Sequence, residues 1–117
     1  VRLKDYQSIG LLPEEYFLYW EDLDWCEKFK KQGGRLAVCA AARVYDKGGT
    51  SINRKSTRAY YHFTRGALVF FGRHFPRRLK FVLFFNLIRG IVLLSVLRWG
   101  LARGIFSAIS DFRKNRP

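Results

Sequence analysis

Four carboxylic acids, side chains that can act as general bases when ionised, lie together in one short stretch of this sequence. The stretch is YWEDLDWCEKF, residues 19–29, and the acids are Glu21, Asp22, Asp24 and Glu27. Their concentration is unexpected because the chain of 117 residues has a formal net charge of +13. A carboxylate held rigidly at a cleft can act as a general base, so the position of each acid on its element matters.

An amphipathic helix is predicted from residue 21 to residue 32, since a pair of glycines supplies the stop that follows it. Its apolar stripe consists of Trp25, Cys26 and Phe29. At about 100° per residue, Asp22 falls in the middle of that stripe and is predicted to face inward. An inward carboxylate costs free energy unless it is hydrogen-bonded, paired or open to a cleft. Asp22 is therefore the candidate general base, and capping of its own helix is the alternative.

The other acids of the helix have ordinary explanations. Asp24 with Lys28, and Glu27 with Lys31, form acid-to-base pairs four residues apart on the predicted outer face. Each such pair stabilises a helix by about 0.2–0.5 kcal/mol. Glu21 lies at the edge of the apolar stripe. Acids at the start of the helix and lysines at its end also complement the helix dipole.

The net charge lies entirely in the second half of the chain. Residues 1–53 hold eight Lys/Arg and eight Asp/Glu, whereas residues 54–117 hold fourteen Lys/Arg and a single acid, Asp111. We therefore predict two regions, one over residues 1–53 that carries no net charge and a basic amphipathic helical region over residues 54–117. The asymmetry indicates an anionic partner for the second region, either nucleic acid or a phospholipid surface, with a solvated basic face as the alternative.

Cysteine and histidine usage excludes two classes of small protein. Cys26 and Cys39 are too few for a disulfide scaffold and lack metal-ligand spacing, so buried thiols in a reducing compartment are expected. His62 and His74 lie apart from any acidic or thiol cluster and are predicted to be surface or packed histidines on helices.

Two short strands are predicted after the first strong helix, at RLAVC (residues 35–39) and ARVYD (residues 42–46). Before that helix, GLLPEEY is predicted to form a turn and a short helical piece that holds Pro13 in its first turn. With three or four helices in all, the predicted fold class is α/β, a helix-rich part of a larger α/β domain.

The second region is predicted to be helical throughout. A long apolar and aromatic helix begins after the cap Ser56 and closes at Pro76. One or two further helices follow over residues 77–112, with breaks expected near Gly100 and Gly104.

The last helices are candidates for a membrane surface rather than a span. The longest stretches without a charge, residues 81–88 and 90–97, have eight residues each, whereas a span needs about 20 apolar residues. On one continuous helical wheel, six cations share one half: Arg77, Arg78, Lys80, Arg89, Arg98 and Arg103. The other half collects Phe84, Phe85, Leu87, Leu94 and Ile105. This pattern is typical of a helix lying in a lipid interface, and packing against protein is the alternative.

The stretch from Gly10 to Ser51, GLLPEEYFLYWEDLDWCEKFKKQGGRLAVCAAARVYDKGGTS, resembles the second half of the catalytic domain of inverting family 2 glycosyltransferases of rhamnosyltransferase-like type. The family pattern there is Gly-x-x-x-Glu-x-[Phe/Tyr]-Phe-x-Tyr-x-Glu-Asp-x-Asp, a helix ending in Gly, a short strand, and Ala-x-Val-x-His-x-x-Gly. A weaker likeness continues at YYHFTRGALVFFGRH, where the family tends to show Tyr-Tyr-x-x-Arg-Asn. The resemblance covers about half of the chain.

The resemblance implies a GT-A enzyme that moves a sugar from a nucleotide donor to a glycan or lipid-linked acceptor with inversion. It also implies that residues 1–53 are a C-terminal part of the catalytic domain of such an enzyme. It implies that Asp22 is the general base, that Glu21 lines the acceptor side, and that Trp20 offers an apolar surface to a sugar. For Trp20, core packing is the alternative.

Three departures from the family pattern qualify these expectations. The family binds its nucleotide and a divalent cation, Mg²⁺ or Mn²⁺, through an N-terminal half with an Asp-x-Asp motif that would precede Val1. The chain is therefore expected to be an inactive fragment that needs no cofactor by itself. The family's late His is replaced by Asp46, a weak metal candidate. Gly66 replaces the Asn that usually follows the Arg at position 65.

The leading hypothesis is thus part of a cell-envelope glycosyltransferase, peripheral to the cytoplasmic face of a bacterial plasma membrane through an anionic lipid surface. Self-association is a further expectation. The alternative is a non-enzymatic basic helical module that binds membrane or nucleic acid, although the sequence shows no nucleic-acid motif and nucleic acid is not the expected partner. Its aromatic residues for base stacking would be Tyr60, Tyr61, Phe63, Phe70 and Phe71.

Overall fold

The computed structural model describes residues 3–45, 53 and 55–115, and all its regular elements are helices. The five helices are α1 (Leu3–Ile9), α2 (Glu21–Lys31), α3 (Thr57–His74), α4 (Pro76–Ser95) and α5 (Trp99–Lys114). No β-strand occurs within these described residues. The predicted α/β class is therefore wrong.

The two predicted strands fail for lack of a partner. Residues 35–45 are irregular and exposed, and Val38, Val44 and Tyr45 are each more than nine-tenths exposed. A strand needs a neighbour to accept and donate its backbone hydrogen bonds, and this stretch forms a turn from Ala42 N–H to the Cys39 carbonyl instead. The last residue of the second predicted strand, Asp46, lies outside the described residues.

Helices α3, α4 and α5 pack together around the hydrophobic core. Leu68 of α3 and Ile105 of α5 are fully buried at its centre, beside Ile109 and Phe112. Burying a side chain of this size contributes about 1.5–3 kcal/mol. α3 and α5 approach closely because Gly104 lacks a side chain, since a Cβ there would collide with the Thr57 carbonyl oxygen.

The helix boundaries in this bundle follow local signals only in part. Ser56 caps α3, and its hydroxyl accepts the Ala59 N–H at 3.1 Å, as predicted. α3 ends at His74 and Pro76 opens α4, also as predicted. The break expected near Gly100 is confirmed, since α4 ends at Ser95 and α5 begins at Trp99, whereas the break expected near Gly104 is wrong because Gly104 lies inside α5.

The chain turns between α4 and α5 at a residue that is not glycine. Leu97 adopts a left-handed conformation with φ 57°, and Arg98 N–H donates to the Leu93 carbonyl at 2.8 Å. This is the hydrogen-bond pattern that usually ends a helix at glycine. The glycines of α4 and α5 instead permit close packing: a Cβ on Gly90 would lie 2.7 Å from the Phe106 ring.

α1 and α2 lie outside this bundle and reach it through α3. Trp25 of α2 is buried, stacks on Phe29 and donates from Nε1 to the Gly10 carbonyl at 2.9 Å. α2 ends as predicted, because Gly33 takes a left-handed conformation and Gly34 N–H donates to the Phe29 carbonyl. The helical piece expected around Pro13 is absent from the described chain, where residues 11–20 form turns and bends.

Candidate functional site

The acid that faces the interior is Asp24 and not Asp22. Asp24 is fully buried, whereas Asp22 is exposed and its Oδ1 accepts the N–H of the next residue, Leu23, at 2.8 Å. The predicted inward orientation of Asp22 is therefore wrong. The helical wheel locates the interior from the apolar residues of α2 alone and takes no account of hydrogen-bond donors brought from other parts of the chain.

Four donors surround the buried carboxylate, and we call this group with Asp24 the Asp24 junction. Oδ1 accepts the Tyr16 hydroxyl at 3.1 Å, His74 Nε2 at 2.7 Å and an Arg73 guanidinium N–H at 3.1 Å. Oδ2 lies 2.7 Å from the Lys28 ammonium. The junction thus ties the loop before α2, α2 itself and the last turn of α3 to one carboxylate.

These donors keep Asp24 ionised. Burial by itself raises the pKa of the Asp24 carboxyl. Hydrogen bonds from Lys28 and His74 and the positive charge of Lys28 lower that pKa by a larger amount, so the net result is a pKa of about 2. Burial and the neighbouring carboxylate raise the pKa of the Tyr16 hydroxyl, which stays protonated as a donor. The junction is a structural anchor for α2.

His74 links the junction to a second lysine of α2. The Lys31 ammonium lies 2.9 Å from His74 Nδ1, and an ammonium can only donate. Nδ1 is therefore the acceptor, so Nε2 carries the hydrogen that is donated to Asp24. The prediction of a packed histidine is confirmed for His74, whose side chain is 2% exposed.

The two predicted surface pairs of α2 have different outcomes. Asp24 and Lys28 do pair, but the pair lies at the junction instead of on an outer face. Glu27 contacts Lys30 at 2.8 Å, three residues away, because Lys31 reaches across to His74.

The N-terminus of α2, which carries Glu21 and Asp22, follows two consecutive left-handed residues. Tyr19 has φ 66° and Trp20 has φ 75°, a conformation that residues with bulky side chains rarely adopt. Trp20 is held in place because its Nε1 donates to the Phe63 carbonyl at 3.0 Å and its ring packs against Phe70. The core-packing alternative for Trp20 therefore has direct support.

Gly66 accounts for how Trp20 fits against α3. A Cβ at this position would lie 2.6 Å from Trp20 Cδ1, so a side chain here would displace the indole. The close packing of the Trp20 ring thus explains why Gly66 stands where the family usually has Asn. The preceding residue, Arg65, donates to the Glu15 carbonyl at 3.0 Å and steadies the loop before α2.

Glu21 and Asp22 offer carboxylate oxygens with few protein partners. Glu21 is half-buried, and its Oε2 is buried without a hydrogen bond from any described residue. Such an oxygen costs free energy until a donor reaches it. The exposed Asp22 carboxylate stands on the same first turn of α2.

A cavity of about 710 Å³ lies on the other side of the Asp24 junction, between α3, α4 and α5. Its charged and polar lining consists of Glu15, Arg65, Arg73, Asp111 and Asn115. These charges are compensated within the protein, since Arg73 pairs with Glu15 and Asp111 accepts the Tyr61 hydroxyl at 2.8 Å. Asp22 does not line this cavity.

The six cations of the predicted wheel do not lie on one helix. α4 ends at Ser95, so Arg98 and Arg103 belong to the next helical segment and the phase of the wheel is lost. Arg89 is half-buried with its guanidinium 4.6 Å from the Tyr60 ring centroid. The other five cations of the wheel are exposed.

The apolar half of that wheel is also redistributed. Ile105 lies in the core and Leu94 is half-buried, whereas Phe84, Phe85 and Leu87 are exposed. One side of α4 carries an unbroken set of exposed large apolar residues, which we call the α4 outer face. It consists of Phe81, Phe84, Phe85, Ile88, Ile91 and Val92.

The aromatic residues of the nucleic-acid alternative are mostly engaged in packing. Phe70 is buried, Phe71 packs against Trp20 and Phe75, and Tyr60 lies under Arg89. A base-stacking surface requires open ring faces. The packing of these rings supports their role in the core.

Metal and membrane signals are limited to negative findings over the described residues. No group of three or more His, Cys, Asp or Glu within residues 3–45, 53 and 55–115 could hold a metal ion. The metal candidate Asp46 lies outside those residues, and its role stays a prediction. Of the helices described, none is both long enough and apolar enough to cross a membrane.

Comparison of the chain with protein-family models, with curated proteins and with solved structures gave no match. The likeness to family 2 glycosyltransferases therefore rests on the residues quoted above. Sequence reasoning missed the Asp24 junction, although one signal was present: the predicted Asp24–Lys28 pair. Its partners Arg73 and His74 are about 50 positions away, and no local pattern connects them.

Proposed function

We propose that the chain supplies the acceptor-side part of an inverting, nucleotide-sugar-dependent glycosyltransferase, with Asp22 as the general base. The observation that carries the proposal is the exposed Asp22 carboxylate at the N-terminus of a firmly anchored helix, inside the stretch that resembles family 2 enzymes. A general base needs reach and a fixed orientation: exposure gives Asp22 reach, and the hydrogen bond from the Leu23 N–H holds its carboxylate.

The rigidity comes from contacts on both sides of the first turn of α2. Before it, Trp20 is locked against α3 by the hydrogen bond to the Phe63 carbonyl. After it, Asp24 is bound by donors from the loop, from α2 and from α3. Two consecutive left-handed residues persist only where surrounding contacts hold them, and such strain is frequent at functional sites.

The proposed step is an in-line displacement at the anomeric carbon. Asp22 takes the proton of an acceptor hydroxyl while that oxygen forms the new glycosidic bond. The bond from the anomeric carbon to the donor phosphate oxygen breaks, and the nucleoside diphosphate leaves with the electron pair. Glu21 Oε2, buried and without a hydrogen bond among the described residues, would accept from a second acceptor hydroxyl.

Trp20 and Asp24 act through position in this proposal. The indole fixes the left-handed turn, and the Asp24 junction fixes the helix that follows. The described residues do not fit a divalent cation, so no step is drawn through one. The donor sugar, the glycan or lipid-linked acceptor and the cell-envelope setting are parts of the same proposal.

The test uses the full-length protein that contains this chain. Release of nucleoside diphosphate from dTDP-rhamnose and from UDP-glucose is measured with cell-envelope glycan and lipid extracts as acceptors. Asp22→Asn should lower the transfer rate at least about 100-fold, the usual contribution of a general base, while titration of the donor shows unchanged binding. Glu14→Gln, an exposed acid of the preceding loop, is the matched control and should keep the wild-type rate.

Two results would contradict the proposal. An Asp22→Asn protein with the wild-type rate would remove the base assignment. Failure of the wild-type protein to release nucleoside diphosphate from either donor with any acceptor extract would count against sugar transfer itself.

A further inference from the structure

α4 carries large apolar residues on two opposite sides, and only one of these sides is covered by described protein. Its inner side carries Val82, Leu83 and Leu93, which pack on the core of α3 and α5. Its outer face exposes Phe81, Phe84 and Phe85 by about two-thirds each. The whole outer face leaves on the order of 600 Å² of apolar surface, at the upper end of what soluble monomers expose.

The exposed apolar surface continues past the end of α4. At the turn into α5, Val96, Leu97 and Trp99 are 56%, 75% and 63% exposed. The inner side of α4 is fixed in register, since Asn86 is buried and accepts a hydrogen bond from Thr64. The outer face is therefore presented by packing and not by a chance rotation of the helix.

Cations stand at both ends of this apolar surface. Arg77, Arg78 and Lys80 are exposed in the first turns of α4, and Arg98 is exposed at the turn into α5. The sequence has no Asp or Glu between Asp46 and Asp111, so no acid lies along α4. Arg89 takes no part, because its guanidinium is turned inward over the Tyr60 ring.

This distribution of charge selects one kind of partner. A second copy of the chain, placed parallel or antiparallel along α4, would bring these cations against cations with no acid to pair. Nucleic acid would satisfy the cations and could stack on the exposed phenylalanine rings, but it offers no apolar environment for the aliphatic Ile88, Ile91 and Val92. An anionic phospholipid bilayer satisfies both parts, with acyl chains for the apolar face and phosphates for the cations at its ends.

We propose that the α4 outer face inserts into the boundary between headgroups and acyl chains of an anionic bilayer, with α4 lying in the membrane plane. Arg77, Arg78 and Lys80 contact phosphates at one end, and Arg98 does so at the other. Trp99 lies at headgroup level beside Leu97, a position that amphipathic aromatic rings favour. This proposal does not depend on sugar transfer, because it concerns a different surface from that of Asp22.

Cosedimentation of the full-length protein with vesicles tests the proposal without any sugar donor. Vesicles of phosphatidylcholine with about 30% phosphatidylglycerol are compared with pure phosphatidylcholine, at low and high salt. The wild type should bind the anionic vesicles in a salt-sensitive manner. Phe84→Ser with Ile91→Ser should weaken that binding at least tenfold. The control Leu11→Ser with Val44→Ser, two similarly exposed apolar residues elsewhere, should bind as wild type.

Two double variants that remove the same charge distinguish attraction of lipid to the cations of α4 from attraction to the net charge of the whole protein. Arg77→Gln with Arg78→Gln should weaken binding about 30-fold, since each cation at an anionic leaflet contributes about a fivefold affinity. Arg113→Gln with Lys114→Gln removes the same charge from the end of α5 and should have a much smaller effect. An equal loss from both pairs would mean that net charge alone binds lipid, and would overturn the assignment to α4.

A conservative variant guards against misfolding of the serine variants. Vesicles with brominated acyl chains should quench the wild-type tryptophan fluorescence, and Trp99→Phe should remove most of the quenched component. Quenching that is unchanged by Trp99→Phe would overturn the proposal. So would equal binding to neutral vesicles, or a wild-type dimer in solution that Phe84→Ser with Ile91→Ser converts to monomer. Asp22→Asn should bind vesicles as wild type, so failure of one proposal leaves the other intact.

Discussion

The Asp24 junction buries a charged side chain and the α4 outer face exposes large apolar ones, so each departs from the usual placement of polar residues outside and apolar residues inside. At the junction a carboxylate is fully buried, and four donors compensate its charge. On α4 large aromatic and aliphatic side chains are exposed, and no described element covers them. The comparison shows that residue type alone did not decide burial here; the decision depended on whether a partner was within reach.

The sharpest test of this difference removes the charge of Asp24. Asp24→Asn leaves the Lys28 cation without its counter-charge and removes one of the two carboxylates that Arg73 contacts, so the free energy of unfolding should fall by about 3 kcal/mol. Urea denaturation followed by circular dichroism measures it. Asp22→Asn makes the same chemical change on an exposed residue two positions away and should alter stability by less than about 0.5 kcal/mol. Equal losses would refute the difference between the two acids.

Acid should weaken the junction before it affects the α4 outer face. The folded-state pKa of Asp24, about 2, lies below its unfolded value, so its contribution is complete above about pH 4 and is lost as the pH falls towards 2. The expected loss is about 2 kcal/mol. Thermal unfolding from pH 5 to pH 2 measures it, and Asp24→Asn should show a flatter pH dependence than the wild type. A parallel dependence in both proteins would contradict this assignment.

The cap of α3 tests a local contribution in the helix to which both regions attach. Ser56→Ala removes the hydroxyl that accepts the Ala59 N–H and should destabilise the protein by about 1 kcal/mol. Ser56→Asp is the control, because a carboxylate can accept the same hydrogen bond and should retain most of the stability. The midpoint of urea unfolding should therefore be highest for the wild type, lower for Ser56→Asp and lowest for Ser56→Ala. A Ser56→Ala protein as stable as the wild type would show that the cap does not contribute to stability.

The smallest effect on stability is expected on the α4 outer face. Phe84→Ser with Ile91→Ser should change the free energy of unfolding by no more than about 0.5 kcal/mol, because both side chains are already more than half exposed. The control Leu68→Ala, in the fully buried core, should cost about 2–5 kcal/mol. A loss of several kcal/mol in the double serine variant would show that the outer face is covered in solution.

Much of the helical fold could be predicted from local signals. The span and glycine stop of α2, the Ser56 cap of α3 and the Pro76 boundary all depend on residues within a few positions of one another. The expected strands failed because a strand is defined by its neighbour. The break expected near Gly104 failed because Gly104 serves the contact with α3, which no local pattern of α5 reveals.

The candidate site could be predicted only as a segment. The sequence singled out the first turn of α2, and the structure places Glu21 and Asp22 there after a left-handed turn. The predicted orientation of its acids was wrong. A helical wheel assigns the buried face by hydropathy, whereas Asp24 is buried because Tyr16, Arg73 and His74 donate hydrogen bonds to its carboxylate.

The sequence by itself determined the span of α2, the start of α3 and the boundary between α3 and α4, and that the basic charge lies in the second half of the chain. Only the tertiary structure decided which acid of α2 is buried and which side of α4 is open. The physical reason is that capping and periodicity act within a turn of helix, whereas compensation of a buried charge requires donors that folding brings from distant positions.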